Sequence, residues 1–239
     1  MKTLFTSLFL SMIILAGPGC QVLNDIGTQV LTPTTGEMAG GLKDALNAGI
    51  SQAVGLLGKE GGYFNDPLIK IPFPQEAQVV SKTLRDIGLG NLVNEFEKKL
   101  NRGAEEGAKL AAPIFGNAIK KMTFQDVSNI LLSNNNQAAT DYFKTATSGE
   151  LYNTFSPKIK QSLDKVGATK AWTDVTTAYN KIPLVKKIET DLVRYATNKA
   201  MDGLFSKVAI QEQKIRTDVS ARSTDLMKKV FGYADQQKN

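Results

Sequence analysis

LVNEFEKKLNRGAEEGAKLAAPIF, residues 92–115, is the stretch that sets the fold class. Leu92, Phe96, Leu100, Gly103, Gly107, Ala111, Ile114 and Phe115 recur at steps of three and four, which puts them on one face of an α-helix. Gly103, Gly107 and Ala111 stand four apart on that face. A glycine inside a helix costs about 1 kcal/mol against alanine, so two of them need a return. A row of small residues gives one by letting a second helix approach closely. The pattern predicts one helix over 90–122, roughly 50 Å long at 1.5 Å per residue, buried along this row and kinked at Pro113.

The same period runs outward in both directions. Leu42, Ala45, Leu46, Ile50, Ala53, Val54 and Leu57 predict a helix that ends at Gly58 and the Gly61–Gly62 pair. Three prolines between 67 and 74 mark residues 63–73 as extended, with a small two-stranded ribbon as one form of that segment. Pro74 then opens a helix that Gly88 stops. Thr123 with Asp126 is a capping pair that starts another. A helix is expected from Gln137, and a further one capped by Ser148 and bent at Pro157. More follow over 169–180, 184–216 and 225–231, the last stopped by Gly232. The expectation is an all-α single bundle of about eight helices over 42–233, followed by a polar tail, 234–239. Neither a fixed-period repeat nor sustained heptads appear.

The N-terminus has a different composition. Lys2 precedes an apolar run, Leu4 to Ala16, then Gly17-Pro18-Gly19 and Cys20, the only cysteine in 239 residues. This is the three-part layout of an export signal over 1–19, too short for the ~20 residues that a membrane-spanning helix needs. Cleavage before Cys20 leaves either a lipid-carrying cysteine or a free thiol. The junction resembles a lipobox, with Gly17 and Pro18 where that pattern has leucine and a small residue. Lipidation explains why the lone cysteine stands there. With Gln21 rather than aspartate next, the resemblance implies a periplasm-facing outer-membrane lipoprotein. Residues 20–41, rich in Thr, Pro and Gly in their second half, read as a flexible tether with an r.m.s. reach of about 25 Å.

Composition removes whole classes of chemistry. There is no histidine and no cysteine beyond Cys20. Histidine-based triads, His/Cys zinc sites and haem ligation are excluded, and so is thiol catalysis in the mature domain. No cofactor or metal is expected. Net charge is +6, and residues 181–239 hold 12 Lys and Arg against 7 Asp and Glu, which is most of it. Such an end suits an anionic envelope component, or is a solvated lysine face. No motif for nucleic acid appears.

Several strings resemble the bacterial family known as domain of unknown function 4197: GLKDAL (41–46), IKIPFP (69–74), LNRGAEEGA (100–108), MTFQDVSNIL (122–131), AATDYF (138–143), DGLFSKVA (202–209) and KIRTDVSARSTDLMKKVFG (214–232). Gly103, Val219 and Ser223 depart from it, standing where Ala, Pro and Thr are usual. The resemblance implies an exported, helical, single-domain protein and no particular activity.

Candidate sites are few. Arginine is scarce, 5 residues against 24 lysines, and its flat fork pairs with carboxylate or phosphate in a way lysine does not copy. Arg102, Arg216 and Arg222, with Asp218 and Asp225 beside the latter two, are therefore candidates for binding an anion or partner; the alternative is salt bridges that pin the C-terminal turn. Glu105 and Glu106, near Asn101, are the weak candidates for a general acid acting on cell-wall polymer. Asp191, Tyr195, Lys199 and Asp202 form either a Tyr–Lys acid–base pair or a core tyrosine with charges at its rim. Phe96, Phe115, Phe143, Phe155 and Phe205 would line a cavity if the bundle carried an apolar ligand. The leading expectation is a lipid-anchored binding module without catalysis, attached to the membrane through Cys20 and meeting an envelope protein or anionic component. The carrier and the cell-wall hydrolase or lyase are alternatives.

Overall fold

The computed structural model describes residues 32–187 and 191–237. Nine α-helices lie among them: α1 (Thr35–Leu57), α2 (Gln78–Asp86), α3 (Gly90–Ala108), α4 (Ala111–Lys121), α5 (Phe124–Leu131), α6 (Ala138–Lys165), α7 (Ala168–Asn180), α8 (Leu192–Thr217) and α9 (Asp225–Gln236). The fold is all-α. No strand occurs among the described residues, so 63–73 is not a ribbon. It is a turn-rich strap that carries the chain from α1 to α2.

α6 and α8 pack along each other at the centre. α1, with α4, α5 and α9 around it, lies to one side. α3, with α2 and α7, forms the other. Each side has its own aromatic cluster. Phe73, Phe96 and Trp172 meet with ring centroids 4.9–5.4 Å apart on the α3 side. Phe115 meets Phe143 at 5.2 Å and Phe205 at 6.0 Å on the α1 side. Burying a side chain of this size stabilises by about 1.5–3 kcal/mol.

The row of small residues does what its spacing predicts. A Cβ on Gly103 would stand 2.5 Å from Leu163 Cδ2, and one on Gly107 would stand 2.8 Å from Ile159 Cγ1. α6 therefore crosses α3 at a distance only glycine permits. The helix itself differs from the expectation. It is two helices, broken at Lys109–Leu110 rather than kinked at Pro113. Proline has no N–H for the carbonyl four residues earlier and its ring crowds that carbonyl, so the strain falls upstream of the proline. Pro113 then sits in the first turn of α4, where a missing N–H costs nothing.

Other boundaries move for local reasons. α1 begins at Thr35, seven residues before Leu42, because Thr34 and Glu37 form a capping box: Glu37 N–H donates to Thr34 Oγ1 at 3.2 Å and Thr34 N–H to Glu37 Oε2 at 2.8 Å. Gly40 and Gly41, read as tether, are helical; a Cβ on Gly41 would meet Val230 Cγ2 at 2.7 Å. α6 runs unbroken through Ser148 and Pro157. Pro157 and Asn153 are exposed, so water can serve the Asn153 carbonyl that loses its partner. α8 starts only at Leu192, with Asp191 as its cap: Arg194 N–H donates to Asp191 Oδ1 at 2.9 Å. Residues 184–187 are not helical, and Ile188 lies outside the described residues. α9 passes through Gly232 to Gln236, burying Ala234, so the tail begins later than 234. Thr123 and Asp126 cap α5 as read.

Candidate functional site

The polar residues singled out in the sequence fall at two places, the strap and the junction where α5, α6, α8 and α9 meet. Cys20, and most of the 20–41 segment, lie outside the described residues.

At the strap, α3 presents Asn101 and Glu105 one turn apart, both buried. Asn101 pairs with the Ile71 peptide as a neighbouring strand would: Ile71 N–H donates to Asn101 Oδ1 at 2.8 Å, and Asn101 Nδ2 donates to Ile71 O at 2.8 Å. Glu105 Oε1 accepts from Tyr63 N–H (3.2 Å) and Phe64 N–H (3.4 Å), while Oε2 accepts from Arg102 Nη1 (3.1 Å). α8 closes the other side. Tyr63 donates its hydroxyl to Ala200 O at 2.7 Å, Tyr195 donates to Pro72 O at 3.0 Å, and Lys207 pairs with Asp66. Gly203 lets the Tyr63 ring in; a Cβ there would stand 2.6 Å from Tyr63 Cε1. Burial, reinforced by the charges of Glu105 and Asp202, pushes the Tyr63 phenol far up, so it stays a donor.

This geometry does not favour a general acid. Both oxygens of Glu105 are spent on the strap and Arg102, and the residue is 1% exposed. Glu106 is held below the usual carboxylate range, chiefly by its hydrogen bond to Lys109, with Arg102 adding to it. A proton donor at neutral pH needs the opposite shift. Arg102 itself is shared between Glu105 and Glu106, at 3.1 and 2.7 Å.

At the junction, Glu212 and Arg216 are buried together. Arg216 donates to Glu212 Oε1 from Nη2 at 2.8 Å and from Nε at 3.0 Å, and to Ile130 O, near the end of α5, at 2.9 Å. Glu212 caps α6, accepting from Ala139 N–H, Thr140 N–H and the Thr140 hydroxyl, each at 2.8 Å. Arg222 closes α8, donating to Ile215 O (3.0 Å) and Arg216 O (2.9 Å), and it pairs with Asp235 at 2.8 Å. Asp218 turns inward on its own segment, accepting from the N–H and hydroxyl of Ser220; the hydroxyl is the main reason its carboxyl is held low. Asp225 is exposed and pairs with Lys228. The two carboxylates expected beside Arg216 and Arg222 are thus not their partners. Both arginines direct their donors at helix ends inside the chain, the arrangement of a pinned turn.

Sequence reasoning missed Glu212. Its signal was present: it stands four residues before Arg216, the spacing of a helical ion pair.

Half of the twelve basic side chains of the C-terminal quarter are paired within the chain. Lys199, Lys207, Arg216, Arg222, Lys228 and Lys229 are each ion-paired within the chain. Phe96, Phe115, Phe143, Phe155 and Phe205 are all buried, and those resolved in ring contacts pack on other aromatics. The apolar cavity between α1, α6, α8 and α9 has about 20 Å³, room for one water and not for a lipid chain. No three acidic side chains gather as a metal site among the described residues, and none of the described helices is long and apolar enough to cross a membrane.

A family model described as "Protein of unknown function (DUF4197)" matches residues 32–232. The chain belongs to that family. The match begins just before the cap of α1 and ends inside α9, so the DUF4197 domain and the helical bundle are one unit. No curated protein and no solved structure matches the chain.

Proposed function

We propose that this DUF4197 protein is a lipid-anchored binding module of the bacterial cell envelope and not an enzyme. The observation that carries the reading is the state of Glu105. The carboxylate best placed to be a buried general acid has one oxygen committed to the strap and the other to Arg102. Histidine is absent, Glu106 is held ionised, and the buried Asn101, Glu105, Glu212 and Arg216 are spent on contacts inside the chain. The surface remains for recognition.

Attachment through Cys20 accounts for the one cysteine at the end of an export signal. Gln21 behind it favours the outer membrane, with the bundle facing the periplasm. The test is the intact mass of the protein taken from its own membranes. A diacylglyceryl and acyl excess on Cys20, lost together with membrane association in Cys20→Ser, is the expected result. A plain mature N-terminus, or membrane association that survives Cys20→Ser, would overturn it.

A further inference from the structure

α8 presents an open face on which Asn198, Asp202, Ser206 and Gln213 line up at steps of four, four and seven. Two clefts border it and share Asn198 and Asp202. One, of about 540 Å³, runs between α8 and α6; the other, of about 530 Å³, runs between α8 and the end of the strap. Lying end to end, they follow α8 as an interrupted groove from Tyr195 to Gln213, roughly 27 Å at the helical rise, with the exposed Asn198 and Asp202 between them. That length suits a linear polymer better than a compact small molecule.

The chemistry of the lining is uneven in an informative way. Its charges already answer one another inside the chain: Lys144 lies 3.8 Å from Asp141 and Lys199 lies 3.5 Å from Asp202. Its neutral groups divide: at the strap end Tyr195 donates to Pro72 O and Gln78 to Phe73 O, while those between α8 and α6 stay open. The amides of Gln137, Asn198 and Gln213 and the hydroxyl of Ser206 hydrogen-bond to no other described residue. Between them lies apolar surface, with Ile210 39% exposed beside the buried Phe205. Amides and hydroxyls both donate and accept, which is what a ring of sugar hydroxyls requires, and apolar patches suit the C–H faces of the sugar. A nucleic acid or an anionic lipid would want unpaired cations. A peptide adding as a strand would want a sheet edge, and no strand exists among the described residues.

We infer that the groove along α8 binds an uncharged glycan strand. The inference rests on the proposed reading of the protein as a non-catalytic envelope module, and supplies its partner. The test uses the full-length chain purified from membranes in detergent, titrated by calorimetry with a soluble β-1,4-linked N-acetylglucosamine hexamer. Saturable binding is expected, weakened about tenfold or more in Asn198→Ala/Gln213→Ala, and also in Ile210→Arg, which fills the groove without removing a hydrogen bond. All three positions are exposed, so circular dichroism should show an intact fold. Absent binding, equal binding by the variants, or preference for an unstructured peptide over the hexamer would each overturn the inference and leave the Cys20 result untouched. Chain shortening of the hexamer in the calorimeter cell would instead overturn the non-catalytic reading, with the groove still judged by its variants.

Discussion

The strap and the C-terminal junction both hold chain that is not helical, and both use buried acidic side chains, but they do it differently. At the junction, Glu212 and Arg216 are both buried and each spends its spare hydrogen bonds on a helix end, the start of α6 and the end of α5. Charge there meets the dipoles of helix termini, where negative charge is favoured at N-termini and positive charge at C-termini. At the strap, Glu105 is buried but its arginine is one-third exposed, and most of the work is done by neutral groups: Asn101, Tyr63 and Tyr195. A turn-rich segment without a sheet still has backbone groups to satisfy. The lesson is that the junction locks helices to each other through a charge pair, while the strap substitutes side chains for a missing strand.

The comparison breaks first at Arg216. Removing one member of a buried pair leaves the other charge unpaired, at a cost of about 3–5 kcal/mol. Arg216→Ala should lower the unfolding free energy by that amount, with Glu212→Ala close behind. Replacing both residues with apolar ones should cost less than either alone. A loss below about 1 kcal/mol for Arg216→Ala, measured by urea unfolding, would mean that the pair is solvated and the contrast with the strap is false.

At the strap the effects should be smaller and local. Asn101→Ala strands the N–H and the carbonyl of Ile71, at about 1–3 kcal/mol for each group left buried without a partner. Glu105→Gln keeps an acceptor for Tyr63 and Phe64 and should cost less. Tyr63→Phe removes one hydrogen bond, worth about 1 kcal/mol. Hydrogen exchange at residues 63, 64 and 71 separates the regions. These amides should exchange faster in Asn101→Ala, while those of α6 and α8 stay protected. Uniform loss of protection would show that the strap unfolds with the bundle and is not a separately held element.

The two regions also differ in how far they could be read from sequence. Helix type followed from apolar spacing, and the α3–α6 crossing from Gly103 and Gly107, because periodicity is local and burial acts on every turn. Capping at Thr123 was visible because Thr and Asp stood three apart. The split at Lys109–Leu110 was not, since a proline acts on residues before it. Gly40 and Gly41 looked like tether because the side chains that require them, Leu226 and Val230, lie far along the chain. Arg216 and Arg222 stood out by rarity, yet their partners are mostly backbone carbonyls, which no sequence pattern displays. Asn101 stands near Glu105 in sequence, but its pairing with Ile71 spans 30 residues. Long-range contacts to peptide groups are invisible to any reading that compares side chains.

The smallest effect expected is at the start of α1, where α9 reaches back to the cap of the first helix. Lys229 of α9 donates to Glu37 Oε1 at 2.6 Å, and Thr34 N–H donates to the other oxygen. These contacts, the lysine first, hold the Glu37 carboxyl down at about 2, against an ordinary value of 4.5. A carboxyl depressed by folding adds stability above its unfolded pKa and loses that contribution as pH falls toward its folded one. The wild-type chain should therefore lose more stability between pH 4.5 and 2 than Glu37→Gln does, with the two curves parallel above pH 5. The difference should be slight, because the pair is solvent-exposed and screened by salt, and it should shrink further at 1 M NaCl. Identical acid limbs in the two proteins at low salt would show that α1 is held at this end by Leu226 and Val230 packing on Gly40 and Gly41, and that the charge reaching from α9 adds nothing to the cap.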